Sequence, residues 1–139
     1  MSPERYLLDT SALLTLIEDE TGAERVENVL TQGETLLPWL ALLEAHYITL
    51  QERGQPEADH RYALMKQLPV TILWEADEPI LLTAARLKAV HHLSLADAII
   101  AAFAIRHNVT LLHKDPEFEA LAGQTALEAL PYKGASSAA

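Results

Sequence analysis

The sequence predicts one α/β domain built around a mainly parallel sheet. Short apolar runs alternate along the chain with helical segments of about ten residues or more, the arrangement of strands joined by helical crossovers. Residues 95–105 (LADAIIAAFAI) are apolar or small almost throughout, which suits a helix packed on several sides. The 139 residues are 50% hydrophobic. That is enough for a single core, since a domain near this size buries roughly 68 to 70% of its unfolded surface.

Each element follows from its own pattern. Residues 6–8 read as a first buried strand, with Asp9-Thr10-Ser11 at its end and a helix over 12–17. Gly22 breaks that helix, and Val26, Val29 and Leu30 share one face of a second helix over 23–30, before Gly33. Residues 35–37 form the second strand. Pro38 is expected as the first residue of a helix that runs to Gln51 and stops at Gly54. Pro56 opens the next helix, whose apolar positions are Tyr62, Leu64, Met65 and Leu68. A third strand over 70–74 and a helix over 77–90 precede the apolar helix. A turn at His107-Asn108, a strand over 109–112 and a helix opening at Asp115-Pro116 follow it, and 125–130 is a last strand. Residues 1–132 are expected to form one domain, with 133–139, ending GASSAA, as a mobile tail.

Composition excludes several classes. There is no cysteine, so a disulfide framework, a thiolate metal site and a catalytic thiol are ruled out. The N-terminal MSPERYLLDT lacks a signal-peptide core, and no run approaches the roughly 18 to 20 apolar residues of a membrane span. A soluble, cytoplasmic protein without membrane contact is expected. Ten basic residues stand against twenty acidic ones, a net charge of −10, the wrong sign for a broad nucleic-acid-binding face. An RNA partner would need metal ions or a local patch to offset the repulsion.

The acids carry the functional reading. Asp9 follows a strand, Asp97 lies three residues after Ser94 in a capping-box pattern, and Asp115 precedes Pro116. Helix capping is the plain alternative for all three. Glu44 cannot be a cap, because it sits mid-helix on a face with Leu40, Leu43 and Tyr47; a surface salt bridge is its plain alternative, though a carboxylate inside an apolar stripe is uncommon without a partner. Ligands of open parallel sheets bind beyond the carboxyl ends of the strands, where Asp9 and Asp115 both stand. If Asp97 and Glu44 point into the same crevice, four carboxylates share it. Two unit charges about 4 Å apart repel by about 4 kcal/mol at an effective dielectric of 20, and a divalent cation relieves this. All-oxygen ligation suits Mg²⁺ or Mn²⁺, and phosphodiester hydrolysis is the chemistry it suggests. An aspartyl-nucleophile phosphatase would also place Asp9 after the first strand, but Ser11 stands where its second Asp belongs. A phospho-accepting receiver module fits Trp74-Glu75-Ala76-Asp77 poorly.

LLDTSALL, WLALLEAHYI and LADAIIAAFAIRHNVTLLHKDPEF resemble, in this order, the three sequence blocks of PIN-domain ribonucleases, most closely the VapC toxins of toxin–antitoxin pairs. The resemblance implies a three-layer α/β/α fold and Mg²⁺- or Mn²⁺-dependent endoribonuclease activity. It matches Asp9, Glu44 and Asp97 to the three core acids, Asp115 to the fourth, and Ser11 to the small polar residue that holds the first acid. Where the family usually has Thr or Ser two residues before the last acid, this chain has His113, a supporting position expected to be a partly exposed surface residue. The resemblance also implies a VapB-like antitoxin that blocks the acidic site, and a homodimer. A PIN-like scaffold that binds RNA or protein without cutting is the non-enzymatic rival.

Other residues are read more plainly. Lys114, Arg86 and Lys88 are candidate RNA contacts. Trp39 and Trp74 are expected in core or interface packing rather than base stacking, and His91-His92 at a helix end. Glu18-Asp19-Glu20 is expected as a solvated loop.

Overall fold

A computed structural model of the chain describes residues 4–132; the expected tail over 133–139 lies outside them. In chain order the elements are β1 (Arg5–Leu8), α1 (Thr10–Ile17), α2 (Ala23–Gln32), β2 (Glu34–Pro38), α3 (Trp39–Arg53), α4 (Gln55–Lys66), β3 (Thr71–Leu73), α5 (Glu78–Val90), α6 (Leu95–His107) and β4 (Thr110–His113). A 3₁₀ helix (Pro116–Leu121) and β5 (Leu127–Ala129) complete the series. The five strands form one parallel sheet in the order β3-β2-β1-β4-β5.

The central strands β1, β2 and β4 carry buried apolar residues on both faces, so the sheet must be covered on both. Leu7, Leu36 and Leu111 point into one core with residues of α5 and α6. Their neighbours Leu8, Leu37 and Leu112 point into the other, with residues of α1, α2, α3 and α4. This period of two gives the three layers. In α6, Ala98, Ile100, Ala101, Ala102, Phe103 and Ala104 are all buried. The small side chains let the helix approach sheet and α5 closely, and Asn108, in the left-handed conformation (φ 54°), ends it.

Several elements differ from expectation. Pro38 is the last residue of β2 and caps α3 from outside, because its fixed φ (−72°) with ψ 145° is extended backbone; the helix starts at Trp39. In α4 the buried positions are Ala58 and Met65, with Tyr62 packed partly between, whereas Leu64 is exposed. It lies one residue, about 100°, from Met65 around the helix. Asp77 caps α5 by accepting the Ile80 amide, rather than beginning it. The segment after Asp115 is 3₁₀, not α. The acidic triplet is tied down: Glu18 pairs with Arg53 and Arg61 at 3.1 and 2.6 Å, and Glu20 lies 3.5 Å from Lys114.

The order of the strands fixes where a site can form. From β1 the chain moves to β2 and β3 on one side, and β4 and β5 occupy the other. The crevice at this reversal opens beyond the carboxyl ends of β1 and β4. Leu8 pairs with Leu112, and the Asp9 amide donates to the Leu112 carbonyl at 3.2 Å.

Candidate active site

Asp9 leaves β1 at this crevice and is 2% exposed. Its carboxylate caps α1, accepting the Ala12 amide at 2.7 Å and the Ser11 hydroxyl at 2.8 and 2.7 Å to its two oxygens. Capping α1 and standing at the crevice therefore coexist in one side chain. Burial pushes its pKa up to about 7, against these hydrogen bonds and with help from the charges of Asp97 and Asp115. Ser11 does a second job, since its oxygen accepts the Lys114 amide at 2.8 Å and so ties α1 to the loop after β4.

Asp97 stands in the first turn of α6, where its amide donates to the Ser94 hydroxyl at 3.1 Å. Its carboxylate is only partly exposed, and burial, then the charges of Asp115 and Glu44, raise its pKa to about 7. Asp115 caps the 3₁₀ helix through the Glu117 amide at 2.9 Å. One carboxylate oxygen each from Asp97, Asp115 and Glu117 lies within 4.8 Å of the others. Glu44, half-buried on α3, accepts the Thr10 hydroxyl at 2.5 Å. Its expected apolar stripe is only partly buried, for Leu40 is in the core while Leu43 and Tyr47 are surface residues at 48% and 42% exposure.

Thus the end of β1, the first turn of α6, the end of β4 and the middle of α3 each deliver a carboxylate to one neighbourhood. Asp9 and Glu44 lie outside the tightest trio; the charges of Asp97 and Asp115 act on Asp9, and that of Glu44 acts on Asp97. Glu117 and Thr10 were not singled out from the sequence. The Asp115-Pro116-Glu117 spacing, two acids on one opening turn, was the available signal for the first; nothing local marks Thr10 as Glu44's partner.

His113 corrects an expectation. It is 1% exposed, because the last residue of β4 points to the same face as Leu111 and the 3₁₀ helix covers it. Its Nδ1 accepts the Asp115 amide at 3.1 Å, and its ring meets Phe118 edge-on at 5.2 Å. Burial pushes its pKa below the usual histidine range.

The candidate cations differ. Lys114 turns its ammonium to the Thr21 carbonyl at 2.9 Å, and Lys88 turns its own to Leu93 at 2.8 Å. Arg86 is exposed on α5. Trp39 packs against the core beside α6, whereas Trp74 is 55% exposed with the Lys66 ammonium 5.6 Å above its ring. His91 caps α5 and meets Gln124 at 2.9 Å; His92 is exposed.

The donor set fits a hard divalent cation. It is made only of oxygen and is partly sheltered, and Asp97 within it and Asp9 beside it resist ionisation without a compensating positive charge.

The PIN domain family model matches residues 6–124 of the chain. Among solved structures, the chain is similar to VapBC2 from Rickettsia felis bound to a DNA fragment from its promoter. The TM-score is 0.76 at 16% identity, covering 91% of this chain and 99% of that one. It is also similar to VapC20 from Mycobacterium tuberculosis, a sarcin-ricin loop cleaving toxin, with TM-score 0.71, 17% identity and coverage of 91% and 99%. FitAcB from Neisseria gonorrhoeae gives 0.63 and 19%, covering 88% and 95%. At such identities the likeness is one of fold. No curated protein matches by sequence. With a family model spanning most of the chain, and a sheet and acid crevice arranged as described, the chain belongs to the PIN domain family.

Proposed function

We propose that the protein is a Mg²⁺- or Mn²⁺-dependent endoribonuclease acting in the cytoplasm as the toxin of a VapBC-type pair. The convergence of Asp9, Glu44, Asp97 and Asp115 at the sheet's reversal point carries this reading. Asp97 and Asp115 would hold the ion with Glu117 beside them, and Asp9 and Glu44 would complete its surroundings. Held there, a divalent cation would supply charge to offset the scissile phosphate and would lower the pKa of a bound water.

The chain's own groups do the positioning. Ser11 and the Ala12 amide fix the Asp9 carboxylate before substrate arrives, and Thr10 does the same for Glu44. The same hydrogen bonds disfavour a phosphatase reading: Asp9 is buried, with both oxygens engaged, and is poorly placed to attack a phosphate.

The solved complexes of toxin with antitoxin among the similar structures support a VapB-like partner, and the net charge of −10 suits one that presents a basic side chain to the crevice. A homodimer is supported by the surface over α5 and α6. There Leu81 and Leu95 are 60% and 62% exposed and border an apolar groove of about 330 Å³ with Trp39, Ile80, Ala84 and Ile99.

The test is cleavage of end-labelled total RNA by purified protein with Mg²⁺ or Mn²⁺, with chelator, and by Asp97→Asn. Discrete cuts that need the metal and vanish in the variant are expected. Metal binding without cutting would point to a different substrate. Absence of both would leave the non-cutting scaffold.

A further inference from the structure

We propose that His113 is a positioning residue: its Nδ1, fixed at the buried end of β4, holds the Asp115 backbone amide and thereby sets where that carboxylate enters the acid cluster. The inference rests on reading the cluster as a metal site, but its physical core, the grip on one amide, stands apart from that reading.

Three observations carry it. The imidazole is buried, being 1% exposed, with Phe118 edge-on at 5.2 Å and the Tyr132 ring at 6.2 Å. The Asp115 amide donates to Nδ1 at 3.1 Å. Asp115 then accepts the Glu117 amide at 2.9 Å. Side chain holds amide two residues on, twice in succession, and this relay runs through two of the three acids whose oxygens lie within 4.8 Å of one another. Its origin is the buried ring at the end of β4.

The ring itself does not touch the reacting groups. Its Nδ1 is committed to the backbone, and His113 is not among the side chains whose ligand atoms cluster. It therefore acts through Asp115. Accepting at Nδ1 places the ring proton on Nε2. The geometry is also the one that Ser, Thr, Asn and Asp side chains use to hold an amide two residues ahead. What the position needs is an acceptor, and the ring adds packing against Phe118.

That separation defines the experiment. His113→Phe keeps an aromatic ring against Phe118 and removes the acceptor. His113→Asn gives up the ring and restores an acceptor at similar reach. For parent and both variants, exchange of the Asp115 amide is followed by NMR without metal, Mn²⁺ affinity is titrated, and melting temperature is recorded. The Asp115 amide is expected to exchange slowly in parent and Asn variant and about tenfold or more faster in the Phe variant. Mn²⁺ affinity is expected to fall about 10- to 100-fold in the Phe variant, the range for lost orientation of a ligand, and to return to within about threefold in the Asn variant, whatever its melting temperature.

Unchanged amide exchange in the Phe variant overturns the proposal, as does an Asn variant no better than Phe in both exchange and affinity. If parent protein binds no Mn²⁺, the metal-site reading falls, and amide exchange alone decides the role of His113. Should the Phe variant not fold, the ¹⁵N spectrum of the parent imidazole decides: an unprotonated Nδ1 supports the proposal and a protonated one overturns it.

Discussion

A carboxylate that is 2% exposed at the end of a strand is in conflict with its own charge, and Asp9 shows how the chain manages it. Two local donors favour the ionised form, yet burial wins and the pKa rises from 3.8 to about 7. Between those values the folded protein holds a proton that the unfolded chain releases. The group's contribution to metal-free stability is therefore greatest below about pH 4 and falls as pH rises toward 7, by up to about 4 kcal/mol for three pKa units. Asp9→Asn removes the conflict. In chelator, its melting temperature relative to the parent's should rise between about pH 4 and 7 and level off above that, while RNA cleavage is lost; a difference that stays flat over that range would refute the assignment. At this scale the sequence was legible for acids and mute about their partners. Asp9, Asp97 and Asp115 could be named because strand ends and helix starts mark them. The buried state of His113 depends on Phe118 and the 3₁₀ helix folding over it, and the bond from Thr10 to Glu44 joins residues 34 apart in the chain.

The elements hold these groups through packing that leaves little room. Gly33, between α2 and β2, has ordinary extended backbone, but a Cβ there would overlap the Glu4 carbonyl oxygen. Gly33→Ala should therefore cost stability, on the order of 1 to 3 kcal/mol for an overpacked contact, measured by urea unfolding. Phe103, fully buried on α6, should cost about 3 to 5 kcal/mol when cut to Ala. A loss below about 1 kcal/mol at either site would contradict the packing described. The central strands were readable because β1, β2 and β4 carry buried apolar residues on both faces, and α6 because it is apolar nearly all round. The misread boundaries have local causes: proline suits a strand's end as well as a helix's start, and Leu64 carries an apolar side chain on a face that nothing covers.

Across the whole molecule, one topological fact organises the rest. The sheet reverses its order between β1 and β4, and two acids leave those strands side by side, while α3 and α6 bring the others. On the proposed function, an acidic protein of net charge −10 would meet RNA through a bound ion rather than through a basic face, so cleavage should vanish with chelator at any protein concentration. If the apolar groove beside Leu81 and Leu95 is the dimer surface, Leu81→Glu should halve the mass seen by sedimentation, and an unchanged dimer would place the interface elsewhere. The central claim is that the crevice holds a divalent cation against protons. Its most direct measurement is Mn²⁺ titration of the purified protein, with Asp97→Asn beside it, from pH 5.5 to 8.5. Because Asp9 and Asp97 hold protons to about pH 7, affinity should rise about tenfold per pH unit for each proton the ion displaces, up to about a hundredfold per unit for both, until pH 7 and then level off, with the variant far weaker throughout. No binding, or binding that ignores both pH and the substitution, would contradict the account.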